Sequence, residues 1–131
     1  MSGAQQGGYA LQFDGTSKIV TIPDNSSIQF NGNSPFTIEA WVKPTGEVGP
    51  SGWSILIDKL VHNASGSWTN GITDSQTGLT LGRRPSAASD TQFFGFLDKV
   101  HIWNIARTEA EIKAGIYKEI GTQTNLKAYY Q

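Results

Sequence analysis

The sequence predicts an all-β protein: an antiparallel β-sandwich carrying one short surface helix near residues 109–118. Three observations carry that prediction. Apolar residues alternate with polar ones in short segments, the period-two pattern of half-buried strands. Gly-, Pro- and Asn-rich turns separate those segments, and glycine is abundant at 15 while charged residues make up only 16%. One segment alone switches to a helical period. The length of 131 residues suits one domain with a hydrophobic core.

Taken in order, Tyr9 to Phe13 sets Tyr9, Leu11 and Phe13 on one face before the turn Asp14-Gly15. Lys18 to Ile22 follows, with Val20 and Ile22 paired on a face. The clearest strand is Phe36 to Lys43, bracketed by Pro35 and Pro44, as suits strand ends. Phe36, Ile38, Ala40 and Val42 face one way, and Thr37, Glu39, Trp41 and Lys43 the other. Ser54 to Leu60, Leu79 to Arg83, Phe93 to Leu97, Lys99 to Asn104 and Leu126 to Tyr130 complete the expected set. Thr108-Glu109-Ala110-Glu111 reads as a capping box, and Ile112, Ile116 and Ile120 recur at helical spacing. The expected helix runs from about Glu109 to Lys118 and ends near Gly121. Residues 1–8 read as a flexible leader and 9–131 as a single domain. Thr45 to Trp53 and His62 to Gly78 read as irregular loops, the kind of segment that carries binding residues or simply connects strands.

Composition excludes several functions. Ten basic residues against eleven acidic leave no cationic excess for a phosphate backbone, so no nucleic-acid partner is expected. No apolar run approaches the ~20 residues of a membrane span, and no membrane insertion is expected. With no cysteine there is no disulfide, thiolate metal site or cysteine nucleophile. No paired carboxylates alternate on one strand. Glu39 stands alone among Thr37 and Trp41, Glu109 and Glu111 complement the helix dipole, and His62 and His101 fall in different settings. The expectation is therefore a protein that is not an enzyme.

The ordered blocks Ala10-Leu11-Gln12-Phe13-Asp14-Gly15, Val20-Thr21-Ile22-Pro23, Phe36-Thr37-Ile38-Glu39-Ala40-Trp41-Val42-Lys43-Pro44, Leu79-Thr80-Leu81-Gly82, Phe94-Gly95-Phe96-Leu97-Asp98-Lys99-Val100-His101-Ile102-Trp103-Asn104 and Arg107-Thr108-Glu109-Ala110-Glu111-Ile112 resemble the laminin-G-like, concanavalin A-like jelly-roll family. The resemblance spans about Ala10 to Ile112. It implies a carbohydrate-binding, lectin-like or adhesion module of an extracellular or cell-surface protein, with a glycan or surface glycoprotein as partner. A structural repeat module that binds no sugar is the alternative, and a glycan-active enzyme a more distant one.

Family members usually carry more strands between the equivalents of Lys59 and Leu79. The trimmed middle would leave a sheet edge open to pairing with a second copy. Asn125 to Tyr130 resembles the strand that opens such a domain. It belongs either to a next tandem copy or to a circularly shifted first strand. Relatives often hold calcium, for which Asp14 and Asp98 are the candidate ligands; in the other reading they only cap a turn and a strand. Sugars present C–H faces to aromatic rings and hydroxyls to polar side chains, so Trp53, Trp68, Asn70 and Arg84 are the candidate carbohydrate contacts. Trp41 and Trp103 alternate against core positions, where they either pave a groove or pack under a covering element.

Overall fold

A computed structural model describes residues 8–31, 34–46, 52–59, 71–72, 78–83 and 92–130. Strands dominate and the sheets are antiparallel, as the alternation predicts. The order is β1 (Leu11–Asp14), β2 (Val20–Ile22), β3 (Phe30–Asn31), β4 (Thr37–Pro44), β5 (Ile57–Asp58), β6 (Gly71–Ile72), β7 (Leu79–Leu81), β8 (Phe94–Trp103), α1 (Glu109–Gly115) and β9 (Leu126–Tyr130). A 3-10 turn, Ser26–Ile28, precedes β3. β4, β8, β1 and β9 form one sheet, β2, β7 and β5 a second, and β3 and β6 a separate ladder.

The ten-residue β8 is the spine. β4 runs along one side, with Thr37 opposite Trp103 and Pro44 opposite Gly95. β1 and β9 share the other side end to end, β1 against Phe94–Leu97 and β9 against Val100–Trp103. β9 (residues 126–130) thus occupies the ladder position on β8 ahead of β1.

Strict alternation along β8 would put Leu97, Lys99, His101 and Trp103 on one face. A β-bulge prevents this. Between the pairs Glu39–His101 and Trp41–Asp98, β4 contributes one residue and β8 two, and Lys99 adopts a left-handed backbone (φ 49°). The extra residue shifts the phase, so Leu97, Val100 and Ile102 all point inward. The sequence reading split this stretch into two strands at Asp98-Lys99; the bulge makes it one.

Leu97, Val100, Ile102 and Phe13 from the first sheet meet Leu79 and Leu81 from the second in a single core cluster. Ile28, Phe30 and Phe93 join it, and Val20, Ile22 and Ile57 pack at its margin. Gly82 admits this closeness: its φ is +88°, and a Cβ there would lie 2.1 Å from the Phe13 ring. A partly buried ion pair, Lys59 Nζ to Asp24 Oδ1 at 2.7 Å, ties the turn after β2 to the end of β5. The lysine holds the Asp24 carboxyl below its usual pKa, with help from Gln29.

Other boundaries differ from expectation. Among the described residues of Ser54 to Leu60 only Ile57–Asp58 pairs, and β6 lies inside the segment read as the loop His62 to Gly78. The helix stops at Gly115, three residues before Lys118. There Lys118 N–H donates to the Gly115 carbonyl at 3.0 Å, a tight terminal turn at a poor helix former. On β4, Ile38 and Val42 oppose Ile102 and Leu97 on the core side, yet Ile38 is 38% exposed, more than the polar Thr37 and Glu39 behind it.

Two substitutions test the packing by chemical denaturation. Gly82→Ala is expected to lose at least about 2 kcal/mol, from backbone strain plus the clash with Phe13. Lys99→Gly is expected to gain about 0.5–1 kcal/mol, because glycine occupies the left-handed bulge without strain.

Candidate functional site on the outer face of the four-stranded sheet

The bulge that turns Val100 and Ile102 inward turns His101 and Trp103 outward, beside Thr37, Glu39 and Trp41 of β4. Helix α1 and the segment leading to it cover part of this face. The capping box forms as the sequence predicts. Glu111 N–H donates to the Thr108 hydroxyl, and the Glu111 carboxylate accepts from Thr108 N–H at 2.7 Å and from its hydroxyl at 2.8 Å. These bonds hold the Glu111 carboxyl below its ordinary pKa.

Arg107 clasps the helix to the sheet. Its guanidinium pairs with Glu39, donates to the Glu111 carbonyl at 2.7 Å and lies 4.1 Å from the Trp103 ring centroid. Its backbone N–H donates to the Thr37 hydroxyl at 2.9 Å, and that hydroxyl donates to the Ile105 carbonyl at 2.8 Å. His101 Nδ1 stands 3.6 Å from the Glu39 carboxylate, and its ring lies 4.7 Å from that of Tyr129. His101 is 3% exposed and Trp103 2%, so both rings are walls of the structure. Burial lowers the His101 pKa below its ordinary value of 6.5; Glu39 opposes that shift and Arg107 reinforces it.

Beyond the clasp the face opens. Trp41 donates its indole N–H to the Ile116 carbonyl at 2.8 Å, which fixes the ring at the end of the helix. Tyr117 lies against it with ring centroids 5.5 Å apart and is 81% exposed. Trp41, Val42, Lys43, Phe96, Asp98 and Ala10 line an open, mainly apolar cleft of about 280 Å³. The lining combines two aromatic rings with one carboxylate and one ammonium, apolar contact together with hydrogen-bonding and charged groups.

The residues singled out from sequence fall in different places. Asp98 borders the aromatic cleft. Asp14 closes its own turn: one carboxylate oxygen accepts from the N–H groups of Thr16, Ser17 and Lys18, and the other from the Ser17 hydroxyl. Those bonds hold its carboxyl well below the usual carboxylate range. Asp14 opposes Phe94 in the ladder, four residues from Asp98, a separation of about 13 Å at ~3.3 Å per residue. Among the described residues, no three acidic or histidine side chains group as metal ligands. Trp53 is 73% exposed, as a ligand-contacting ring requires; like Tyr117, it is not among the residues that line the cleft beside Trp41. Trp68, Asn70 and Arg84 lie outside the described residues.

Sequence reasoning passed over Tyr117 and Arg107. Tyr117 follows the last helical turn, where only the early stop brings it to Trp41. Arg107 sits just ahead of a recognisable capping box, and a lone arginine at a helix entrance is a signal for a clasp. No helix of the described residues is long and apolar enough to cross a membrane. Compared with known proteins, the chain matches no family model, no curated protein and no solved structure.

The His101 environment sets a pH dependence. Above about pH 6.5 the imidazole is neutral in both folded and unfolded chains. As pH falls through that value the unfolded chain takes up the proton first, so stability falls until the lower folded pKa is passed. Melting temperatures measured from pH 7.5 to pH 5 should therefore drop more for the wild type than for His101→Phe.

Proposed function

We propose that this is a non-catalytic carbohydrate-binding module of an extracellular or cell-surface protein, and that it binds glycan on the outer face of the four-stranded sheet. The observation that carries this reading is Trp41, which lines an apolar cleft with Phe96, Lys43 and Asp98 and packs on the exposed ring of Tyr117. Trp41 is fixed by its bond to the helix end, so little side-chain freedom is lost when a sugar stacks on it. The two-sheet core supports kinship with the jelly-roll family that the sequence blocks resemble.

On the outer face the Glu39 carboxylate is committed to Arg107, which favours a structural role for it over an acid–base one. The Asp14 carboxylate accepts from the backbone of its own turn, and this reading draws its sugar contacts from the Trp41 cleft and needs no metal there.

A second reading, a self-assembling module, draws on β4. It ends the path β1-β8-β4, and Phe36, Ile38 and Val42 are half-exposed along it. Sedimentation showing a concentration-dependent dimer would favour this reading.

A glycan array probed with the purified chain, with calcium and with chelator, tests the main reading. Binding is expected in both buffers, and Tyr117→Ala should weaken it about fivefold, the loss of roughly 1 kcal/mol of ring contact. No binding in either buffer, or binding that ignores Tyr117→Ala, would contradict the assignment.

A further inference from the structure

On the other side of α1 the outer face closes into a second cleft, between the helix and the connection to β9. Its volume is about 680 Å³, within the range of about 300–1,000 Å³ typical of small-ligand sites. Trp103, Arg107, Lys118, Gln123, Thr124 and Asn125 line it, and every one belongs to the described residues.

The charges around the cleft balance, Arg107 and Lys118 against Glu111 and Glu119. Two of the four are already engaged, Arg107 with Glu39 and the Glu111 carboxylate with Thr108. The cleft therefore offers no net attraction to an anion or a cation. It offers instead the amides of Gln123 and Asn125, the Thr124 hydroxyl and the Lys118 ammonium, a mixture of donors and acceptors. Trp103 supplies one donor more. It is 2% exposed, and its indole N–H has no acceptor among the described residues. A buried donor without a partner is unfavourable, and a ligand oxygen supplying the acceptor recovers that loss on binding. Arg107 already lies over the Trp103 ring, so a ligand here is held by hydrogen bonds and not by stacking.

We propose that this cleft binds a neutral polyhydroxyl ligand, a single sugar residue, with one hydroxyl oxygen accepting from Trp103 Nε1–H and others bonded by Gln123 and Asn125. The indole N–H is closed off from solvent in this structure, so the ligand reaches it only as side chains lining the cleft move aside. The ligand class follows the carbohydrate reading above; the residues are separate from the Trp41 cleft.

The four tryptophans give four indole N–H signals in a proton–nitrogen correlation spectrum. Trp103→Phe identifies one of them, or, if that variant does not fold, contacts to Arg107 in the wild type do so. Methyl β-glucoside, methyl α-mannoside and N-acetylglucosamine are then titrated in separately. At least one should shift the Trp103 indole signal saturably, and the surface double variant Gln123→Ala/Asn125→Ala should weaken that response about tenfold, the loss of two hydrogen bonds. A Trp103 signal that stays fixed with all three sugars overturns the site. So does a response unchanged in the double variant, or one elicited by N-acetylglycine methylamide and by none of the sugars. A sugar that moves the Trp41 signal and leaves Trp103 fixed refutes this cleft and retains the aromatic one; movement of Trp103 alone does the reverse.

Discussion

The bulge at Lys99 is the constraint on which the rest of the structure depends. A strand pointing alternate residues to alternate faces cannot place Leu97 and Val100 on the same side without an extra residue between them. Lys99 is that residue, and its left-handed backbone is the local cost. Two consequences follow at once. Leu97, Val100 and Ile102 join Leu79 and Leu81 in one core. His101 and Trp103 are turned to the outer face, where they become walls of a polar and aromatic surface.

That surface is organised by α1. The helix has no fully buried residue of its own, and its apolar residue Ile112 is only partly buried, so polar contacts carry much of its docking. These lie at its two ends: the capping box and Arg107 at the start, and the Trp41 indole on the Ile116 carbonyl at the finish. With the helix fixed in this way, the outer face divides into an aromatic cleft on one side and a polar one on the other. The same clasp accounts for β4, whose polar Thr37 and Glu39 are better covered than Ile38 on its core side.

Much of this was legible in the sequence. Period-two alternation located most strands, and Thr108 with Glu111 announced the helix start. The continuity of β8 was not legible, because a bulge interrupts the alternation that identifies a strand; Asp98-Lys99 therefore read as a break. β3 and β6, two residues each, are too short to show any period. Of the candidate site, Asp98 and the outward-facing Trp41 could be read from strand position. Asp14 could not be resolved between ligand and turn cap until its bonds to Thr16, Ser17 and Lys18 were seen. The Trp41–Tyr117 pair joins residues 76 positions apart in sequence, and only the tertiary fold brings them together.

If β8 is one bulged spine, its two halves must open together. Native-state hydrogen exchange on the amides of Phe96, Leu97, Val100 and Ile102 tests this most directly. The amides on both sides of Lys99 are expected to share one opening free energy, equal to that of global unfolding. A lower, separate opening energy for Val100 and Ile102 would show that the β9 half of the strand folds on its own, and would contradict the account.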